Sequence, residues 1–354
     1  MAISRTVRTT TCTGRLLGAL VGALALAGGL VGPAGAAIGR ADFLALSASV
    51  LKIEVIRRQG GYSLGSGVVV DDQKVVTNCH VTRDATAIHV LRHGARWTVT
   101  AQAVDALHDL CVLQVPGIRS DAVARGPAAS LRPGQPVAAI GYTGGLGLQN
   151  SDGEVVAMHP HDGGPVLQTT NWFSSGASGG GLFDGERRLV GILTFRMRGT
   201  DAHYFSAPTE WLEPLLADAA AYRPVAAIPA DELAYWQLPI EAQPEFLQAA
   251  TLSRSGQWQQ LRQLAQRWTH TAHREPQAWF ARAQADEALD SPREALAAYE
   301  RAVSLDAGFA GGWLRLGLLR ARLGLRQAAG DALKVLEPLS ADLAAQLASR
   351  LRTP

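Results

Sequence analysis

The sequence lacks several features that would place it in other functional classes. No phosphate-cradling glycine loop and no cofactor signature occurs in its 354 residues, so nucleotide or redox chemistry has no anchor. The formal charge is only +2 and no basic stripe accompanies it, which excludes nucleic acid as the expected partner. His270 and His273 lie three apart without a further ligand cluster, and His159 and His161 read as loop residues, so no metal site is expected. Cysteine is scarce: there are three, and Cys12 falls in the N-terminal stretch, leaving Cys79 and Cys111 as an even pair.

That N-terminal stretch reads as an address. Arg5, Arg8 and Arg15 precede an apolar run from Leu16 to Val31, and Pro33-Ala34-Gly35-Ala36-Ala37 supplies the small residues of a cleavage site. Residues 1–37 are therefore expected to be a secretory signal peptide. The alternative is a retained membrane anchor, for which the Gly- and Ala-rich run is barely long enough. Cleavage would take the formal charge from +2 to −1, since three arginines and no acid leave. The mature protein is expected to be exported, periplasmic or secreted, with no stable membrane span.

The chemistry is carried by Gly176-Ala177-Ser178-Gly179-Gly180-Gly181, a serine held in a tight glycine bend. A serine hydroxyl is a weak nucleophile at neutral pH and needs an adjacent base. Val75-Val76-Thr77-Asn78-Cys79-His80-Val81 offers His80 for that role, and His108-Asp109-Leu110-Cys111-Val112-Leu113 offers Asp109 to fix the imidazole tautomer. The N–H groups of Gly176 and Ser178 are candidates for the oxyanion hole. Any one of these segments alone is unremarkable. Their chain order His, Asp, Ser is that of trypsin-like proteases and not of the subtilisin or α/β-hydrolase triads.

From about Ala41 to Ala220 the chain resembles the trypsin-fold serine proteases of bacterial HtrA/Do type. Gly65-Ser66-Gly67-Val68-Val69-Val70, Thr77-Asn78, Ala139-Ile140-Gly141 and Leu167-Gln168-Thr169 carry the likeness, without a PDZ module. The resemblance implies two six-stranded antiparallel β-barrels with the site in the cleft between them. It also implies that Gly191 to Phe195 is the strand that pairs with substrate, so that Thr194 and Phe195 bind it. Leu51, Ile53 and Val55 alternating with Lys52 and Glu54 agree with such strands. Ala177 departs from trypsins that are activated by cleavage, where an aspartate pairs with the new N-terminus. Trp172 and Phe173 fall where the family builds part of its specificity pocket, implying small or medium apolar preference, or else they are ordinary core. Because His80 and Asp109 must touch, Cys79 and Cys111 share a neighbourhood, as a disulfide or as two buried thiols.

Composition changes after Ala220. Pro224, Pro229, Pro239 and Pro244 mark residues 223–244 as a linker between a protease domain at 38–222 and a helical domain at 245–354. In the latter, Trp279, Ala283, Ala295, Tyr299 and Ala302 recur thirty-four residues on as Trp313, Gly317, Ala329, Leu333 and Leu336, the period of tetratricopeptide (TPR) repeats. Ser291-Pro292-Arg293-Glu294 reads as a capping box opening a helix. Phe246 to about His273 is a more divergent upstream unit, and Ala341 to Leu351 a covering helix. The expected fold is thus multidomain: an all-β trypsin-like double barrel followed by an all-α TPR-like repeat region. The expected function is an exported serine endopeptidase with no cofactor, acting on protein or peptide substrates, its repeats recruiting a partner or merely buttressing the barrels. The alternative is a non-catalytic binding scaffold with a degenerate protease fold.

Overall fold

A computed structural model describes Met1 and residues 38–144, 147–197 and 203–352. The signal-peptide expectation at 1–37 lies outside these residues. After a short helix α1 (Arg40–Ser47) come β1 (Val50–Arg57), β2 (Tyr62–Asp71), β3 (Lys74–Thr77), the one-turn helix α2 (Cys79–Thr82), β4 (Ala85–Arg92), β5 (Ala95–Thr98), β6 (Ala101–Asp105) and β7 (Leu110–Gln114). A second set follows: β8 (Pro136–Thr143), β9 (Gly147–His161), β10 (Gly164–Thr169), β11 (Gly181–Phe183), β12 (Leu189–Met197) and β13 (His203–Pro208), then α3 (Leu212–Ala217) and β14 (Arg223–Pro224). Strand formation follows residue pattern. In β1 the apolar Leu51, Ile53 and Val55 are fully buried while Lys52 and Glu54 are partly exposed, the period of two expected for one covered face.

The second set closes into a six-stranded barrel in the order β10-β13-β12-β11-β8-β9, as the resemblance implied. The first set is the other barrel-like sheet, a half-barrel. It is an eight-stranded sheet, β14-β6-β7-β3-β2-β1-β4-β5, without lateral closure. Its two ends are nevertheless joined through Val99 and Thr100, whose N–H groups donate to Ile88 O on β4 (3.0 Å) and to Gln114 O on β7 (3.0 Å). The segment β5–β6 is therefore one bent strand that serves both edges, and β14 adds to the outside of β6.

Seven helices complete the described chain: α4 (Glu245–Arg254), α5 (Trp258–Thr271), α6 (Pro276–Ala288), α7 (Pro292–Leu305), α8 (Ala310–Arg322), α9 (Arg326–Leu339) and α10 (Ala341–Arg352). They fit TPR-like repeats. Trp279 Nε1 donates to His273 O and Trp313 Nε1 to Ala307 O, each at 2.9 Å, so the repeat recurs at the level of a single hydrogen bond. Ala283, Ala295, Tyr299, Ala302, Ala329 and Leu336 are fully buried between helices. A Cβ on Gly317 would stand 2.5 Å from Leu347 of α10, so the covering helix sets its close approach by that glycine. Ser291 and Pro292 do open α7, but Ser291 makes no side-chain cap, so the capping box is not formed.

The helical region is not held apart from the barrels. Phe246 of α4 is buried and stacks on His159 at 4.2 Å with ring planes 10° apart, and one continuous apolar cluster runs from Phe205 and Trp211 through Phe246 and Leu252 to Trp268. His159 and His161 thus lie in β9, not in a loop. Burial by an element far away in sequence, invisible to local pattern, decides that.

A second tie crosses between the sheets. His108 Nδ1 meets Asp105 Oδ2 at 2.6 Å and its Nε2 meets Asp162 Oδ2 at 2.9 Å, with the Trp211 ring 4.2 Å away. Burial disfavours charged His108, but the hydrogen bonds and charges of Asp105 and Asp162 outweigh it and raise its pKa above 6.5. Nearby His161 is shifted downward, chiefly by burial. With a raised folded pKa, the stability His108 contributes is fully present below its unfolded value of about 6.5 and is lost as pH rises through the folded pKa. His108→Gln should therefore lower Tm relative to wild type at about pH 6, with the gap narrowing toward about pH 9. A gap that is constant with pH would assign the effect to packing on Trp211.

Candidate active site

Each member of the expected triad leaves a regular element at the cleft. His80 sits in α2, directly after β3, and is about a quarter exposed, whereas Asp109 ends the turn before β7 and its side chain is only 1% exposed. Asp109 adopts a left-handed conformation (φ +59°), which aspartate tolerates better than most residues. Its carboxylate receives the His80 main-chain N–H on Oδ1 at 2.8 Å and meets His80 Nδ1 through Oδ2 at 2.6 Å. Asp109 thereby fixes both the position of α2 and the plane of the imidazole. Behind it, Asn78 Nδ2 donates to Asp109 O at 3.0 Å and to Thr194 Oγ1 at 3.3 Å, linking the two sheets under the site.

Ser178 enters from the second barrel, between β10 and β11. Gly176 (φ +97°) and Gly179 (φ +86°) turn the chain where a side chain would strain it. Space is equally limiting, because a Cβ on Gly179 would lie 2.1 Å from Ser66 O and one on Gly180 would lie 2.4 Å from Ile140 O. Within the bend, Ala177 N–H donates to Ser174 O (3.0 Å), Gly179 N–H to Leu193 O (2.8 Å) and Gly180 N–H to Ala177 O (2.8 Å). That leaves the N–H groups of Gly176 and Ser178, among the described residues, without a main-chain acceptor. The Ser178 hydroxyl donates to Thr194 O at 3.2 Å. Ala177 is buried in the apolar cluster with Val137 and Leu182, so the loop is braced by packing and not by an ion pair at this position.

Ser66 of β2 is a brace that the sequence reading did not single out. Its hydroxyl donates to Gly176 O and accepts Tyr142 N–H, each at 2.8 Å, and its N–H donates to Ser178 O at 2.8 Å. The Ser178 loop is thus fastened to the opposite sheet. Thr77 Oγ1 supports it in turn by donating to Ser66 O at 2.7 Å.

The four expected substrate-binding residues fare differently. Trp172 is half exposed, while Phe173 is core, packed on Tyr204 with ring centroids 5.1 Å apart. The Thr194 side chain points inward, donating to Ile192 O at 2.8 Å. Phe195 is stacked between Phe205 at 4.7 Å and Trp236 at 4.9 Å, the latter from the segment expected to be a linker. Cys79 and Cys111 form a disulfide, buried with Ile228 and stapling the His80 and Asp109 segments together.

A bent-strand sheet and a closed barrel meeting at a His–Asp pair and a glycine-bound serine define the class. Residues 65–192 match the family model of the trypsin-like peptidase domain, and the chain carries such a domain. Its relatives are of HtrA/DegP type. Over 194 residues the chain is 29% identical to serine protease HTRA1A of Danio rerio, covering 49% of this chain and 40% of that protein. Over 136 residues it is 34% identical to a probable periplasmic serine endoprotease, DegP-like, of Halomonas elongata, covering 37% of this chain and 29% of that protein. Among solved structures, the HtrA-type protease AlgW with tripeptide is 26% identical, with a TM-score of 0.46 over 50% of this chain and 61% of that one. The chain spans less than half the length of the two curated relatives.

The disulfide closes a loop whose ends are 32 residues apart, for which chain entropy predicts a stabilisation of roughly 3–4 kcal/mol. Cys79→Ala/Cys111→Ala should lose about that much in denaturant unfolding. Intact mass after alkylation without reductant should show neither thiol modified; two alkylated thiols would reject the bond.

Proposed function

We propose that this chain is an exported serine endopeptidase that hydrolyses peptide bonds through an acyl-enzyme. The arrangement assigned to it is residues 1–37 as leader, 38–222 as protease, 223–244 as connecting segment and 245–354 as a TPR-like region that engages substrate or partner proteins. The observation that carries this is the His80–Asp109 hydrogen bond at 2.6 Å, together with a serine bend fastened to the same sheet through Ser66, whose Gly176 and Ser178 N–H groups have no main-chain acceptor among the described residues. The periplasmic naming of the DegP-like relative supports the export assignment.

In the proposed cycle Ser178 Oγ leaves Thr194 O and attacks the scissile carbonyl carbon while His80 Nε2 takes its proton. The oxygen of the tetrahedral adduct becomes an anion and accepts the N–H groups of Gly176 and Ser178; losing one such donor costs about 2.7–4 kcal/mol of barrier. His80 then returns the proton to the leaving amine as the C–N bond breaks. Water, deprotonated by the same imidazole, hydrolyses the ester. Asp109 holds His80 in the tautomer that exposes Nε2. The substrate backbone is assigned to β12 beyond Ile192, the last residue that β11 pairs.

One observation favours the scaffold alternative: the Ser178 hydroxyl is spent on Thr194 O. In free enzymes such catalytic hydrogen bonds are often loose and tighten only with substrate, so the endopeptidase is preferred. Ser178→Ala and His80→Ala should each abolish turnover of an unfolded protein without loss of fold, and Asp109→Asn should lower kcat by about 10⁴-fold. A fluorophosphonate probe should label wild type and not Ser178→Ala. No labelling under any condition would favour the scaffold.

A further inference from the structure

The segment 223–244, expected from its prolines to be a plain connector, is fastened to the first sheet along its length. Arg223 and Pro224 pair with β6, Gln102 Nε2 donates to Ala226 O at 2.7 Å, Ile228 N–H donates to Arg83 O at 2.8 Å and Tyr235 N–H donates to Leu107 O at 2.9 Å. Tyr235 is 2% exposed, with His161, Trp211 and Phe195 rings around it. This wedge fixes the backbone of the next residue, Trp236.

Trp236 reaches the His80–Asp109 pair. Its Nε1–H donates to Asp109 Oδ2 at 3.2 Å, the same oxygen that holds His80 Nδ1. Its ring stands edge-on to the imidazole, with centroids 5.6 Å apart and planes at 89°, and its other face stacks on Phe195. A buried carboxylate is a strong acceptor that must be satisfied by several donors. The neighbouring hydroxyl of Thr194 does not serve it, being turned to Ile192 O. We propose that Trp236 is a positioning residue of the active site: its indole N–H is the third donor to Asp109, and its ring fixes the plane of His80, so the interdomain segment completes the catalytic machinery.

The role assigned to Trp236 rests on the triad reading, and the test separates the two. On the full chain, Trp236→Phe keeps a ring and removes the donor. Loss of a hydrogen bond to a charged group predicts a fall in kcat of about ten- to a hundredfold, with KM within about twofold. The unfolding midpoint of Trp236→Phe should stay close to wild type. In ¹⁵N-indole spectra, the resonance lost in Trp236→Phe should move when Asp109 is replaced in Asp109→Asn, a signature that packing alone would not give. Turnover abolished by Ser178→Ala but untouched by Trp236→Phe, or raised by it as for a ring that blocks the cleft, overturns the Trp236 role alone. So does an indole resonance indifferent to Asp109→Asn. Turnover that survives Ser178→Ala overturns the triad and the Trp236 role together.

Discussion

A carboxylate taken wholly out of water is stable only where N–H groups replace the water it has lost, and Asp109 meets that condition with three of them. Two belong to His80 and one to Trp236. Satisfying Asp109 therefore forces α2, the turn before β7 and the segment after β14 into one place. The Cys79–Cys111 disulfide closes the same junction covalently. With these elements fixed, the cleft face of the first sheet has little freedom left.

The second barrel contributes its loop under a different constraint, steric rather than electrostatic. Gly179 and Gly180 lie so close to Ser66 O and Ile140 O that the bend can pass only as bare backbone. Ser66 then joins that bend to β2 and β8 through three hydrogen bonds. The Ser178 loop clamped this way is braced without an ion pair from position 177, since Ala177 carries no charge. Preorganised donors are worth more than donors that must be assembled during the reaction.

Beyond the cleft, the helical region has two distinct faces. Its first pair is packed into the barrel through Phe246 and Leu252, continuous with Trp211 and Phe205, and acts as a buttress. The later pairs bury their small residues among themselves, and Tyr299 OH donates to Glu287 Oε2 at 2.8 Å within that stack.

Much of this was legible in the residues. The serine bend, the histidine and aspartate segments and the thirty-four-residue recurrence are local patterns, and local steric and packing rules dictate them: glycine where no Cβ fits, small residues where helices close, alternation where one face is buried. The single bent β5–β6 strand that serves both edges of the first sheet, the strand identity of His159 and His161, the core position of Phe173 and the bracing by Ser66 were not legible. Each depends on a partner remote in the chain. Trp236 is the clearest case, since a lone tryptophan among prolines carries no local signal. Only folding brings its N–H, 127 residues away, to the buried oxygen of Asp109. The sequence by itself determined which residue types stand at the candidate site. The tertiary structure decided which buried charge each polar group must satisfy, because that demand arises only when water is excluded.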